Sequence, residues 1–227
     1  MNSEHTGDAA SEIANPMLVA NSLTCERDDR VLFQNLSFEL DEGQVLQVKG
    51  NNGTGKTTLL RILCGLNDSY EGSINWFGNS IVDSREQFNS SVLYIGHRVG
   101  VNKALTPLEN LRWSCRIQQD VSDQAIFQAL KEVGLRGFEE SQCFTLSAGQ
   151  QQRVSLARLL VCQSQLWILD EPFTTLDVEG VALLEKLIVQ HAEQGGSVLV
   201  TTHHPLTVAG LQTLILGDNQ QTQGGTQ

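Results

Sequence analysis

Eight consecutive residues, Gly50-Asn51-Asn52-Gly53-Thr54-Gly55-Lys56-Thr57, carry the spacing G-x-x-x-x-G-K-[ST] of a phosphate-binding loop. Its glycines let the backbone curl until successive N–H groups converge on phosphate oxygens. A helix opening at Thr58 would add partial positive charge at its N-terminus. Lys56 would then reach the β- and γ-phosphates of a nucleoside triphosphate, and the Thr57 hydroxyl would ligate Mg²⁺. The bland alternative is a Gly-rich turn that happens to precede a helix. A full eight-residue pattern between strand and helix argues against it.

A second group of polar residues ends a wholly apolar run, Leu166-Trp167-Ile168-Leu169, with Asp170-Glu171-Pro172. An acid at the carboxyl end of a buried strand is where a phosphate-loop ATPase places its second metal-orienting group, so Asp170 is read as a Mg²⁺ holder, through water. Glu171 points differently and is the candidate to polarise the attacking water. Further upstream, Leu146-Ser147-Ala148-Gly149-Gln150 precedes a helical segment. Ser147 and Gln150 have the spacing of a capping box, and a capped helix start with a small-residue neck is itself suited to anions.

These groups need a sheet and helices to position them. Gln44–Lys49 reads as the strand feeding the loop, and Leu59–Cys64 as apolar positions of a helix packed on a sheet. Further strands are expected at 17–20, 36–40, 73–76, 91–95, 166–169 and 197–201, with turns at 27–30 and 41–43. Thr106-Pro107-Leu108-Glu109 reads as a helix start, and residues 126, 127, 130 and 133 form an apolar helical stripe. Residues of about 98 to 160 are therefore expected to form a mainly helical subdomain, and about 178 to 194 a further helix. Residues 1–15 read as a disordered tail and 218–227 as a loose one. The domain between them spans 16–217.

Of the 227 residues, 40% are hydrophobic, and no apolar run approaches the ~20 residues of a bilayer span. A net charge of −11 argues against nucleic-acid binding and against adsorption to anionic lipid. Any membrane attachment should therefore pass through protein. The five cysteines are scattered without a C-x-x-C pair, which reads as reduced, mostly buried thiols and no zinc or redox motif. No cysteine is followed by proline, so no Cys-Pro haem-ligating pair exists.

Taken in order, the motifs resemble the ATP-binding cassette (ABC) ATPases over about residues 17 to 217. Leu146–Gln150 is similar to their L-S-G-G-Q signature, with Ala148 for the first glycine. Thr175-Leu176-Asp177 resembles the D-loop and Thr202-His203 the switch histidine. The resemblance implies an α/β fold of the phosphate-loop NTPase type. It would have a mixed sheet core, an antiparallel β part and a helical subdomain. It also implies ATP hydrolysis between two copies. Ser147 and the Gly149 amide would act in trans, Asp177 would align the two sites, and His203 would contact the γ-phosphate, with His204 a bystander. His97 stands where the family's Q-loop glutamine usually follows its strand. The aromatic that usually stacks on adenine is absent from Cys25-Glu26-Arg27-Asp28, so Arg27 would stack instead.

Cys25-Glu26-Arg27-Asp28, Tyr94-Ile95-Gly96-His97, Leu105–Leu111, Leu146–Gln151, Trp167–Phe173 and His203–Leu206 narrow the likeness. They resemble the haem exporter ATP-binding subunits of bacterial cytochrome c maturation. That resemblance implies a peripheral protein on the cytoplasmic face of the cell inner membrane, partnered by integral membrane transporter subunits. Hydrolysis would energise haem export, or release of a haem-loaded chaperone, without direct haem contact by this chain. The alternatives are an ABC ATPase for another cargo, and a soluble ABC ATPase acting on DNA or ribosomes. Such soluble proteins usually carry two cassettes or a coiled-coil arm, and this chain has neither.

Overall fold

The structure, a computed structural model, describes residues 16–28, 30–98, 100–115, 121–217 and 222–223. The expected N-terminal tail at 1–15 lies outside the described residues. Among the described residues, ten strands fall into two sheets. The first is antiparallel and made of β1 (Leu18–Arg27), β2 (Arg30–Leu40), β4 (Glu71–Trp76) and β5 (Asn79–Ser80), in the order β2-β1-β4-β5. The second contains β3 (Val45–Lys49), β6 (Val92–Ile95), β7 (Leu166–Asp170), β8 (Ser197–Thr201), β9 (Gln212–Ile215) and β10 (Thr222–Gln223), ordered β10-β9-β3-β8-β7-β6. Its strands run parallel except β10, which pairs antiparallel with β9. Thr222 and Gln223 thus pair at a sheet edge, and the rest of the tail expected at 218–227 lies outside the described residues.

The parallel sheet separates two apolar cores, and its strands feed both. Trp167, Leu169, Val198 and Val200 pack into one core, whereas Leu166, Ile168 and Leu199 pack into the other. Side chains alternate across a strand, so a strand buried on both faces must be apolar throughout. That is why β7 reads as an unbroken apolar run. One core is closed by the antiparallel sheet and by α1 (Lys56–Leu63), which buries Leu59, Leu60, Ile62 and Leu63. The other is closed by α3 (Pro107–Cys115), α4 (Asp123–Glu132), α5 (Ala148–Val161) and α6 (Val178–Glu193).

Local capping sets the starts of these helices. At α3, Glu109 N–H donates to Thr106 Oγ1 at 3.2 Å and Thr106 N–H to Glu109 Oε2 at 2.8 Å. Ser122 caps α4 by accepting from Ala125 N–H at 3.3 Å. Sequence reading missed α2 (Arg85–Ser91), a short helix that buries only Phe88 and so shows no apolar period.

The structure revises the cysteine reading. Cys115, ending α3, and Cys162, following α5, form a disulfide with their Cα atoms 5.4 Å apart, correcting the expectation that all five thiols are reduced. The packing of α3 on α5 brings together residues 47 apart in sequence, a proximity that spacing does not reveal. Cys25, Cys64 and Cys143 are free and buried.

His191 on α6 stacks on Trp167 with ring centroids 3.8 Å apart and planes 5° from parallel. A Cβ on Gly196 would lie 2.2 Å from the imidazole, so only glycine leaves room for this ring. Burial without a partner for Nε2 pushes the His191 pKa down to about 4 from its ordinary 6.5. The unfolded chain therefore binds more protons between those values, and this residue's contribution to stability falls as pH drops through that window. Replacing His191 by Phe, which keeps the stack, should flatten the loss of melting temperature between pH 6.5 and 4. Parallel melting curves for parent and variant across that range would refute the assignment.

Candidate functional site

The parallel strands β3, β6, β7 and β8 end at the same edge of the sheet, where α/β proteins collect their ligand-binding groups. Each hands one functional segment to that edge. β3 leads into the phosphate loop, β6 into Gly96-His97, β7 into Asp170-Glu171 and β8 into Thr202-His203. They surround a cleft of about 510 Å³ lined by Asn52, Gly53, Gly55, Lys56, Thr57, Thr58, His97, Asp170, Glu171 and His203, with Arg27, Leu32 and Thr174. Gly50 and Asn51 line an adjoining recess with Lys56 and His203. Thr54 braces the loop by donating its hydroxyl to Asn51 O at 2.9 Å.

The loop is shaped as a cradle for an anion. Gly55 precedes α1 with φ 93° and no side-chain cap. A Cβ there would stand 3.0 Å from Leu32 Cβ and 3.2 Å from the Phe33 ring, so the antiparallel sheet presses the loop into a turn that favours glycine. The first N–H groups of α1 open toward the cleft in the absence of a capping side chain. Lys56 Nζ donates to Gly50 O at 2.7 Å and to Asn51 O at 3.2 Å, which holds the ammonium against the loop. An ammonium has three donors, so one remains for a phosphate oxygen.

Asp170 is 2% exposed, and its Oδ1 accepts from Thr201 Oγ1 at 2.7 Å. Its Oδ2 is buried without a hydrogen-bond partner. A buried carboxylate oxygen left open is costly unless something cationic or protic meets it, and Thr57 shares the same cleft. This donor set of hard oxygens suits Mg²⁺.

Glu171 adopts φ 51°, uncommon for a residue with a side chain, and its N–H donates to Thr201 O and to Thr201 Oγ1, each at 3.0 Å. That turn takes Glu171 out of the line of β7 and into the cleft, 3.6 Å from His203 Nε2. Thr201 therefore holds both acids, a role no motif announced. Beyond β6, Gly96 lies beneath Tyr94, and a Cβ there would be 2.8 Å from the Tyr94 hydroxyl. Burial, with Asp170 nearby, pushes the Tyr94 phenol up to about 12.

Ser147, Gly149 and Asp177 are not among the residues lining the cleft. Ser147 caps α5 by accepting from Gln150 N–H at 3.2 Å, while Gln150 Oε1 accepts from Ser147 N–H at 2.9 Å. Gly149 packs beside the Thr175 carbonyl. Asp177 caps α6 through Gly180 N–H at 2.9 Å and is paired with Arg153 of α5. The Gly180 backbone, then Arg153, hold its carboxyl below the usual range. Sequence reading missed Arg153, whose side chain also donates to Val133 O at 2.8 Å.

A phosphate loop and two acids at one sheet edge, with a signature helix set apart from them, define an ABC-type ATPase. Residues 33–174 match the ABC transporter family. A cytochrome c biogenesis ATP-binding export protein CcmA of Hahella chejuensis is 52% identical over 195 residues, covering 86% of this chain and 92% of that protein. Its counterpart in Vibrio parahaemolyticus is 50% identical over 205 residues, covering 89% and 100%. The chain belongs to this family of cytochrome c biogenesis ATP-binding export proteins within the ABC transporter ATPases. Among solved structures, the dimeric post-hydrolysis state of the ATP-binding cassette MJ0796 bound to ADP and Pi has the same fold. Its TM-score is 0.78 at 23% identity, with 92% of this chain and 100% of that one covered.

Proposed function

We propose that this ATPase energises a membrane export complex of cytochrome c biogenesis, driving haem export or release of a haem-loaded chaperone. The observation that carries this reading is the 52% identity to an export protein of that process over nearly its whole length. The working unit is two copies of the chain on integral membrane subunits, at the cytoplasmic face of the inner membrane. No helix among the described residues is long and apolar enough to cross a membrane. Residues 16–217 act as one cassette domain with a helical subdomain at about 98–160, in which the stretch around 98–145 is the candidate surface for the membrane partner.

Within each site, the loop amides from Gly50 to Thr58, including those of Asn51, Asn52, Gly53, Thr54 and Gly55, cradle the phosphates, and Lys56 holds the β- and γ-oxygens. Thr57 and Asp170 would hold Mg²⁺, which when bound offsets phosphate charge. Glu171 accepts the proton of the attacking water, His203 contacts the γ-phosphate, and His97, in the Q-loop position, reaches water or Mg²⁺. Ser147 and Gly149 of a second copy close the site, since in their own chain they stand outside the cleft. Asp177 then aligns the two sites.

A strain lacking the chain should lose its c-type cytochromes, seen by haem staining of gels, and regain them with the parent sequence. Normal c-type cytochromes without the chain would point to another cargo. Base recognition offers a second test. Arg27 and Leu32 line the nucleotide cleft, and the Arg27 side chain is 72% exposed and paired with Asp28 at 3.4 Å. A guanidinium face stacks on any base, so ATP and GTP should compete within about threefold. A preference for ATP beyond about tenfold in competition binding would overturn this reading of Arg27.

A further inference from the structure

We infer that His204 is a positioning residue of the hydrolytic site, tying the switch histidine and the general base to α6. This inference rests on the roles proposed above for Glu171 and His203. The sequence offers His204 as a bystander, but its ring is engaged on two sides. His204 Nε2 lies 2.9 Å from Glu185 Oε1 on α6. A carboxylate only accepts, so Nε2 carries the proton in this contact. The ring also stacks on Phe173, with centroids 4.7 Å apart and planes at 29°. Its backbone N–H donates to Thr202 Oγ1 at 2.9 Å.

These contacts close a ring of residues around the chemistry. Glu171 meets His203 at 3.6 Å, and two residues further along the same turn Phe173 meets His204. The segments 171–173 and 203–204 are therefore joined twice, once in the cleft and once behind it. His203 itself is exposed, its side chain 73% accessible, and the packed neighbour His204 restrains the turn that carries it. Glu185 anchors the pair to α6, and the first turn of α6 is capped by Asp177. A shift of α6 would thus reach the Glu171–His203 contact through one hydrogen bond and one stacked ring.

The test is steady-state MgATP turnover of the full-length chain, read as kcat and KM separately, alongside melting temperature. His204→Phe keeps a ring against Phe173 and removes the bond to Glu185. It should lower kcat by about tenfold while KM for ATP and melting temperature stay within about twofold and a few degrees of the parent. His204→Gln, which can still donate to Glu185, should restore most of kcat. Glu185→Ala should match His204→Phe, and the double variant should be no slower than either single one. Parent-like kcat in His204→Phe, or multiplied losses in the double variant, would overturn the inference. Glu171→Gln is run in parallel. Full turnover there refutes the underlying site reading, whereas its loss beside an unaffected His204→Phe refutes this inference alone.

Discussion

Replacing Glu171 by glutamine is expected to lower ATP turnover by about two to three orders of magnitude. Nucleotide affinity should stay within about threefold of the parent, because the phosphates are held by other groups. The carboxylate sits in the cleft at the turn after β7, fixed by two hydrogen bonds from its own N–H to Thr201 and facing His203 at 3.6 Å. Glutamine preserves the shape and the backbone bonds but cannot accept a proton from water. Binding energy that would normally be released at hydrolysis then stays in the bound state. If Ser147 and Gly149 close the site from a second copy, the variant with MgATP should accumulate as a dimer in size-exclusion chromatography. Turnover near the parent rate would transfer the base role to another group, with His203 and His97 next in the cleft.

How much of this was legible beforehand depended on whether chemistry or packing set the residue types. The phosphate loop is constrained by its ligand at Gly50, Gly55, Lys56 and Thr57, so Gly50 to Thr57 could be placed from spacing between a strand and a helix. β7 and β8 were legible because burial on both faces forces an unbroken apolar run. The capping boxes at Thr106 and Ser147 were legible too, since each needs a fixed pair three residues apart. What escaped were contacts between distant segments. Thr201, which positions both acids, is an ordinary strand residue in sequence, and its role comes from the register that pairs it with Asp170. Arg153 reads as one charge on a helix, yet folding sets it against Asp177. His204 carries a partner 19 residues away on a different element. The Cys115–Cys162 disulfide likewise depends on helix packing, to which cysteine spacing is blind. Motifs name the groups that touch the ligand, and topology names the groups that hold them.

Removing the ammonium at Lys56 should separate binding from turnover in the opposite sense to Glu171→Gln. Lys56 Nζ is pinned over the loop by Gly50 O and Asn51 O, so its position is set before any phosphate arrives. Little side-chain entropy is then lost on binding, and nearly the full charge-assisted contact is available to the nucleotide. Lys56→Ala deletes that charge and leaves both carbonyls facing the cleft, where they repel phosphate oxygens. A charged hydrogen bond of about 1.5–3 kcal/mol corresponds to a loss in affinity of about tenfold to a hundredfold. The change should appear in titration with a fluorescent ATP analogue. It should also appear as a smaller rise in melting temperature on adding MgATP, because that rise depends on ligand concentration over Kd. Lys56→Arg should not rescue it, because a planar fork cannot take the place of a compact ammonium held by two converging carbonyls. Unchanged affinity in Lys56→Ala would mean that the loop amides alone carry the phosphates. The site would then depend on the loop glycines and the start of α1 rather than on the Lys56 ammonium.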